Sequence, residues 1–143
     1  MPITGGCQCK AVRYSIAADK PTLVRACWCR VCQYVGAGSG TVNAVFSKDA
    51  ITVTGETRDY SVVADSGSVM HRRFCPICGT ALFSEAEPRP GVIIVRVGTL
   101  DEPNLAAPQM TIWTAAAPRW ACFDPELPSA EGQGPRPAKP TAR

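Results

Sequence analysis

Seven of the eight cysteines fall into three short clusters whose spacing is typical of metal ligands. The clusters are a CxC at Cys7 and Cys9, a CxCxxC at Cys27, Cys29 and Cys32, and a CxxC at Cys75 and Cys78. Two sulfurs on one tight turn can converge on a zinc ion at Zn–S distances of about 2.3 Å. Gly79 follows the last cluster and suits such a turn, because glycine adopts backbone angles that other residues avoid. The pattern therefore predicts bound metal.

The number of ligands favours two sites of different kinds. A closed tetrahedral zinc site needs four ligands. The CxC and the CxxC supply four, and we name them the four-cysteine cluster: Cys7, Cys9, Cys75 and Cys78. The CxCxxC supplies three, and we name it the three-cysteine cluster: Cys27, Cys29 and Cys32. We predict a structural zinc in the first and a catalytic-type zinc with an exchangeable fourth position in the second.

Two alternatives to this assignment stay open from the sequence. In one, the three-cysteine cluster takes a fourth ligand from Cys75 or Cys78, which leaves the CxC underused. In the other, all seven cysteines only stabilise the fold. The eighth, Cys122, lies between Ala121 and Phe123, and we expect it to be a buried and inert thiol.

A zinc ion held by three thiolates favours a particular substrate class. Three thiolates and Zn²⁺ sum to one negative charge, so the ion is a weak Lewis acid and is poorly suited to making hydroxide. It is better suited to holding a fourth thiolate, because an ordinary thiol with a pKa of about 8.5 is mostly protonated at neutral pH. The predicted substrate is a small thiol or the thiol adduct of a carbonyl compound.

Few other side chains near the clusters could take part in chemistry. Arg30, Arg72 and Arg73 are the cations nearest to the clusters in sequence, and we expect one or more to bind a carboxylate of the ligand. The simpler alternative is that they are solvated strand residues. Trp28 lies inside the CxCxxC and is predicted to wall the pocket. His71 is the only histidine, and we expect it to pack or bond structurally.

Strands are expected to carry these residues, because hydrophobic residues recur with a period of two over most of the chain. Strands are predicted at 12–16, 42–46, 51–54, 69–74, 92–97 and 110–114. One short helix is predicted at about 30–35 and ends at Gly36. The fold class is therefore mainly β, with one or two antiparallel sheets and little helix.

Length and composition limit the remaining possibilities. The chain has 143 residues, of which 45% are hydrophobic and 19% charged, so one folded domain is expected and a disordered protein is excluded. No apolar run approaches the roughly 20 residues of a membrane span, and the N-terminus does not resemble a signal peptide. We therefore expect a cytoplasmic protein, in which clustered cysteines are more often metal ligands than disulfides.

Charge and the C-terminal composition complete the expectations. The formal charge of +3 falls to zero if seven cysteines bind two Zn²⁺ ions as thiolates, which disfavours nucleic acid as a partner. Residues 1–127 are predicted to form the zinc-binding domain. Residues 128–143 are rich in proline and glycine and are predicted to be a mobile tail, with docking onto the domain as the alternative.

The cysteine motifs and their flanking residues resemble a known family. The segments that carry the resemblance are Gly5–Tyr14, the CxCxxC, Phe74–Phe83 and Val97–Asp101. They are similar to the glutathione-dependent formaldehyde-activating enzyme family, which also contains centromere protein V-like proteins. The resemblance extends from Gly5 to about Leu127. It implies a mainly β, Mss4-like fold, a structural and a catalytic-type zinc, glutathione as ligand, and S-hydroxymethylglutathione as product.

The sequence departs from the family where the substrate is expected to bind. Family members often have a histidine where this chain has Trp28 or Thr111, and a polar helix start where it has Gln33–Gly36. Two hypotheses follow from the resemblance. One is a zinc-dependent carbon–sulfur lyase or synthase that acts on glutathione adducts of small aldehydes, as a monomer or a homo-oligomer. The other is a non-catalytic zinc protein that carries glutathione or binds a partner.

Overall fold

The computed structural model describes residues 1–64 and 67–135, which form a mainly β fold. The strands are β1 Ile3–Gly6, β2 Arg13–Ile16, β3 Leu23–Cys27, β4 Thr41–Ser47, β5 Ile51–Thr54, β6 Arg58–Val63, β7 Val69–Phe74, β8 Ala81–Ala86, β9 Val92–Arg96 and β10 Met110–Ile112. The helix α1 spans Arg30–Val35, as predicted. Short 3-10 turns cover Lys48–Ala50, Val97–Thr99, Pro103–Ala106 and Thr114–Ala116. Within the described residues no helix is long and apolar enough to cross a membrane.

The strands form two sheets. One has three strands in the order β1-β2-β5, and the other has seven in the order β10-β3-β4-β9-β8-β7-β6. All pairs within them are antiparallel except β10 and β3, which are parallel. The predicted mainly β, antiparallel fold is confirmed, with this one parallel pair as an addition.

The core lies between the two sheets and explains the period-two pattern. Tyr14 of β2 packs edge-on against Phe83 of β8, with ring centroids 5.3 Å apart. The Tyr14 hydroxyl lies 2.7 Å from the hydroxyl of buried Thr99, so its polar atom is satisfied inside the core. Two cysteines of the four-cysteine cluster, Cys7 and Cys75, belong to this same core. That cluster is therefore part of the main hydrophobic packing.

The opposite surface of the seven-stranded sheet, which we name the outer face, carries polar residues. Val24, Ala44 and Val95 point into the core, so their neighbours along the strands point outward. Strand pairing sets Cys27 opposite Thr41, and Asn43 opposite both Arg25 and Arg96. Beside the three-cysteine cluster, the outer face thus carries the polar and basic side chains of Arg25, Thr41, Asn43 and Arg96.

The beginning of the predicted mobile tail is docked against β10. The Thr111 N–H donates to the Pro128 carbonyl at 3.0 Å, and the Ala130 N–H donates to the Thr111 carbonyl at 2.9 Å. The Trp113 N–H donates to the Gly132 carbonyl at 2.9 Å. For residues 128–132 these contacts correspond to the docking alternative, because the edge strand β10 has backbone groups that this segment pairs with. Residues 136–143 lie outside the described part, and the boundary at 127 stays a prediction.

Candidate metal centres

The structure brings the four-cysteine cluster together from two distant parts of the chain. Its four sulfurs lie within 4.8 Å of one another. The Cys9 sulfur is 3.5 Å from that of Cys7 and 3.7 Å from that of Cys75. Sulfurs around a tetrahedral zinc are separated by about 3.8 Å, given Zn–S bonds of about 2.3 Å. Because Cys78 also lies in this group, the CxxC is close to the CxC, and the alternative pairing with the three-cysteine cluster is not formed.

Backbone amides hold the sulfurs of the four-cysteine cluster in place. The Val12 N–H donates to the Cys7 sulfur at 3.2 Å. The N–H groups of Ile77 and Cys78 approach the Cys75 sulfur at 3.4 and 3.5 Å. Such N–H···S contacts stabilise negative charge on sulfur. The turns after β1 and β7 are thus shaped for thiolates rather than for neutral thiols.

Ionisation within this cluster is strongly uneven. Hydrogen bonds from the side chain and backbone of Thr80 lower the pKa of Cys78 to about 5. The Ala11 N–H favours the thiolate of Cys9, but burial and the neighbouring sulfurs outweigh it and raise its pKa to about 12. Four crowded sulfurs cannot all be thiolates without a cation among them. The donor set therefore fits a metal ion, and four thiolates in tetrahedral spacing suit zinc.

The three-cysteine cluster forms at the junction of β3 and α1. Its sulfurs also lie within 4.8 Å of one another. Cys27 is the last residue of β3, and the Cys29 sulfur caps α1 by accepting the Cys32 N–H at 3.3 Å. Among the described residues no fourth cysteine, histidine or carboxylate joins this group. The cluster thus offers three soft ligands and one position that the described chain does not fill.

Ionisation is also uneven here. Hydrogen bonds from Cys27 and Cys29 lower the pKa of Cys32 to about 2, and Thr41 and the charge of Arg96 lower it further. For Cys27 the shift has the opposite direction, because its hydrogen bonds to Cys29 and Cys32, together with burial, raise its pKa strongly. The three sulfurs therefore resist being ionised together, and a cation among them would be needed before all three could be thiolates.

Arg96 is the main feature near the clusters that the sequence analysis missed. Its Nη1 donates to the Asn43 Oδ1 at 2.6 Å, and Asn43 Nδ2 donates to the Thr41 Oγ1 at 3.0 Å. Burial lowers the pKa of Arg96; the charge of Cys32 opposes this shift and the charge of Arg72 adds to it. Arg96 is far from the cysteines along the chain, so sequence spacing does not indicate that it lies near them. The pairing of β3, β4 and β9 is what brings it close.

The three predicted arginines are placed in three different environments. Arg30 lies 5.3 Å from the centre of the Tyr34 ring and hydrogen-bonds a side chain within α1. Arg72 points to the outer face, because its neighbour Arg73 turns to the other side of β7. The Arg73 Nε lies 3.4 Å from the Glu85 Oε1, between the two sheets. Only Arg72 shares the outer face with Arg96.

Aromatic and apolar residues surround the three-cysteine cluster. Trp28 is buried and packs edge-on against Phe123, with ring centroids 5.6 Å apart. The Gln33 side chain donates to the Trp28 carbonyl at 2.8 Å and so fixes the loop that holds the cysteines. On the other side, Ile112 and Ala130 pack against the cluster. The Trp28 ring faces Phe123, and its role as a wall of the ligand pocket stays a prediction.

Two further residues can now be placed. His71 bonds two carboxylates, with Nδ1 2.6 Å from the Asp59 Oδ2 and Nε2 2.7 Å from the Glu87 Oε2. This is a structural arrangement at the surface, apart from both clusters. The expectation that Cys122 is buried is wrong, because the side chain is exposed. Its neighbour Phe123 takes the packing position against Trp28 instead.

A comparison of sequences assigns the chain to a family. The model of the family described as glutathione-dependent formaldehyde-activating enzyme matches residues 2–116. The chain belongs to this family. The matched segment contains both cysteine clusters, Arg96 and all ten described strands.

Individual relatives agree with the family assignment. A Halomonas elongata protein named "Putative glutathione-dependent formaldehyde-activating enzyme" is 31% identical over 87 residues. That match covers 58% of this chain and 55% of the relative, so the chain matches only about half of the relative's length. A crystal structure of a Rhodobacter sphaeroides protein has a TM-score of 0.53 and 22% identity, and covers 68% of this chain and 87% of that one. The second likeness concerns the fold alone.

Proposed function

We propose that this protein is a zinc-dependent carbon–sulfur lyase of the S-hydroxymethylglutathione synthase type, acting on glutathione adducts of small aldehydes. The observation that carries the proposal is the three-cysteine cluster. Its sulfurs converge at the end of β3, and no fourth cysteine, histidine or carboxylate joins them within the described residues. Membership in the formaldehyde-activating family supports the choice of glutathione and formaldehyde.

The residues of both clusters fit zinc. We propose Cys7, Cys9, Cys75 and Cys78 as ligands of a structural ion, and Cys27, Cys29 and Cys32 as ligands of a catalytic-type ion. Thiolate sulfur is the donor that zinc prefers over harder cations. When bound by three cysteines, zinc would supply the charge that keeps a thiol deprotonated near neutral pH.

The reaction needs no redox partner. The thiol of glutathione loses its proton, and the sulfur lone pair forms a bond to the carbonyl carbon of the aldehyde. The carbon–oxygen π pair moves to oxygen, which takes up one proton, so atoms and charge balance. The reverse sequence breaks the carbon–sulfur bond and is the lyase direction. In both directions the role of the chain is to hold the sulfur and to orient the adduct.

The ligand-binding residues remain proposals. Arg72 is the best placed of the predicted arginines to receive a glutathione carboxylate, because it shares the outer face with Arg96 near the cluster. Arg30 and Trp28 lie on the same loop and helix as the cysteines. Arg73 is the weakest of the set, since it already pairs with Glu85 on the other side of the sheet.

Calorimetry with glutathione and S-methylglutathione tests the proposal on the zinc-loaded chain. If the sulfur of the ligand is held at the open position, methylation should weaken binding by at least about tenfold, because a thioether cannot become a thiolate. Cys29→Ala should have the same effect, whereas the exposed Cys122→Ala is the matched control and should bind as the wild type. Equal binding of the two ligands would show that thiol activation is not the function.

A second candidate function is supported by exposed aromatic residues near α1. Tyr34 and Trp120 are 80% and 68% exposed, and Phe123 is 39% exposed. Exposed aromatic side chains are enriched at partner-binding surfaces. The alternative is therefore a non-catalytic zinc protein that carries glutathione or docks on a partner. It predicts glutathione binding without any acceleration of adduct formation, which exchange spectroscopy with ¹³C-formaldehyde would measure.

We also propose a cytoplasmic location for this activity. All eight cysteines are free thiols in the structure. Thiols persist in reducing compartments, where glutathione is also abundant.

A further inference from the structure

Arg96 is a partly buried cation that has no carboxylate partner within residues 1–64 and 67–135. Its guanidinium is mostly buried at the end of β9, and within the described residues none of the ion pairs involves it. Its Nε is buried and makes no hydrogen bond. Buried charges in proteins are paired with an opposite charge, because leaving water is costly for an isolated ion. The opposite charge within reach of Arg96 is that of the cysteine cluster, because the Cys32 side chain both hydrogen-bonds the guanidinium and acts on it through its charge.

A polar row on the outer face joins Arg96 to the three-cysteine cluster. Strand pairing places Thr41 beside Cys27 and Asn43 beside Arg96, and these two β4 residues share one face. Asn43 donates to Thr41 and accepts from Arg96. Because its amide nitrogen is engaged with Thr41, Asn43 can turn only its oxygen toward the guanidinium. The position of the cation is thus fixed relative to the sulfurs.

We propose that Arg96 is a positioning residue of the three-cysteine site, which offsets the negative charge of the sulfurs and makes the site prefer an anionic thiol to a cationic one. The inference deepens the proposed function, since it concerns the thiol taken by the same site.

The charge balance gives the physical reason. Three thiolates and a divalent ion carry one negative charge, and a fourth thiolate brings the total to two. Without a nearby cation, a partly buried site of that charge would repel glutathione, which is itself a net anion. Arginine stays protonated at all physiological pH values, so Arg96 removes one unit of this repulsion. Two unit charges about 6 Å apart at a partly solvated site, where the effective dielectric constant is about 40, interact strongly enough to change affinity about tenfold.

Cobalt provides an optical readout for the first test. The full chain is loaded with Co²⁺, and sulfur-to-cobalt absorption is followed while 3-mercaptopropionate or cysteamine is added. These two thiols are similar in size and opposite in charge. We expect the wild type to bind 3-mercaptopropionate more tightly, and Arg96→Met to reduce that preference by about tenfold. Arg96→Lys should retain most of it, because it keeps the charge.

Two further variants separate charge from structure. Asn43→Asp is nearly isosteric and keeps an acceptor for Arg96, but it places a carboxylate against the guanidinium. It should lower the preference for the anionic thiol even if Arg96→Met fails to fold. Arg58→Met removes an exposed arginine of β6 and is the matched control, which should leave the preference unchanged. An unchanged preference in both Arg96→Met and Asn43→Asp overturns the proposal.

Alkylation of Cys32 tests the charge without any added thiol. The full chain is treated with a mild chelator and then with anionic iodoacetate or neutral iodoacetamide. Trypsin then releases Cys32 and Cys122 on separate peptides that contain no other cysteine, so the alkylation of each can be measured. At Cys32, the rate with iodoacetate divided by the rate with iodoacetamide should be about threefold or more higher than the same quotient at exposed Cys122. In Arg96→Met the quotient at Cys32 should fall to the value at Cys122. Equal ratios in the wild type overturn the proposal. A raised ratio in a chain that binds no glutathione supports Arg96 and refutes the proposed function instead.

Discussion

The two cysteine clusters differ in how far apart their ligands lie along the chain. The four-cysteine cluster joins sulfurs 66 residues apart and belongs to the core between the sheets. The three-cysteine cluster is contained within the end of β3 and the start of α1, and packs in a small separate cluster with Ile112. Closing a long loop removes more chain entropy than closing a short one. We therefore expect the first cluster to hold the fold together and the second to have a position free for a ligand.

The largest expected effect comes from breaking the four-cysteine cluster. Cys78→Ala should leave the chain unfolded or insoluble, because the binding free energy of a structural zinc, about 10–16 kcal/mol, is folding free energy. A typical domain has only about 5–15 kcal/mol of stability to lose. Cys29→Ala should remain folded by circular dichroism and lose one metal ion by native mass spectrometry.

The exposed Cys122→Ala serves as the control for both variants and should match the wild type in folding and metal content. A folded Cys78→Ala chain that keeps two metal ions would contradict the assignment of the first cluster.

Chelation compares the two clusters without mutation. The three-cysteine site should release its metal first to a mild chelator, because it has one chain ligand fewer. The β fold should persist at that stage, since the other cluster is still intact. Metal release followed by a zinc dye, with circular dichroism recorded in parallel, checks the order. Simultaneous loss of both ions and of the fold would remove the distinction between the clusters.

The same difference in chain distance explains what the sequence could predict. Both cysteine clusters were visible because their ligands are close together within each motif, and a four-ligand zinc requires the CxC and CxxC to meet. Arg96 was not visible, because it reaches Cys32 only through the pairing of β4 with β3 and β9. Strand pairing is set by the whole fold rather than by local spacing.

Four strands were not predicted, β1, β3, β6 and β8, and for β1 and β8 the sequence shows a physical cause. The strand β1 ends in two glycines, which give no hydrophobic alternation. In β8 four successive residues are buried, so the alternating pattern is absent. The docked segment 128–135 was expected to be mobile because of its composition, but backbone groups that pair with an edge strand leave no mark on side-chain pattern.

Deleting residues 128–143 should affect the three-cysteine side only. The deletion removes Ala130, which packs against the cluster, and the backbone hydrogen bonds to Thr111 and Trp113. We expect weaker metal binding at the three-cysteine site and a fall in Tm of several degrees, corresponding to about 1–2 kcal/mol. A shorter deletion of residues 136–143 is the control. If the longer deletion changes neither quantity, the predicted domain boundary at 127 is supported and the docked segment is dispensable.

A smaller effect is expected at the ion pair beside the four-cysteine cluster. Asp101 accepts hydrogen bonds from Arg13 at 3.0 and 2.5 Å and from Thr4 at 2.7 Å. These bonds, with that from Arg13 the largest contribution, lower the pKa of Asp101 to about 2. A lowered carboxyl pKa stabilises the fold above the unfolded pKa of about 3.9, and the stabilisation is lost as the pH falls toward 2. Because both side chains are about half exposed, Asp101→Asn should cost no more than about 1 kcal/mol.

Urea unfolding at pH 7 and at pH 3 checks this prediction. The wild type and Asp101→Asn should differ at pH 7, and the difference should be smaller at pH 3, which lies between the unfolded pKa and the folded pKa of Asp101. Asp49→Asn, at an exposed position of the 48–50 turn, is the control and should be neutral at both values. A constant difference between wild type and Asp101→Asn at the two pH values would show that the stabilisation does not come from ionised Asp101.

The smallest expected effect is at the far end of the β7 hairpin, which leads into the four-cysteine cluster. His71 has a carboxylate on each ring nitrogen, Asp59 from β6 and Glu87 after β8. Both contacts are hydrogen bonds only if the ring is doubly protonated, and the bond to Asp59 is the larger cause of the raised pKa of His71. A raised histidine pKa stabilises the fold fully below the unfolded value of about 6.5, and this stabilisation is lost as the pH rises through the folded pKa.

Since His71 is the only histidine, one imidazole signal in a proton NMR titration reports its pKa directly. The signal should titrate above 6.5 in the wild type and at a lower pH in Glu87→Gln. If the signal titrates at the ordinary histidine pKa in both chains, the two carboxylates do not stabilise the β6–β7–β8 edge through His71. The stability of this end of the sheet would then not depend on the ionisation of His71.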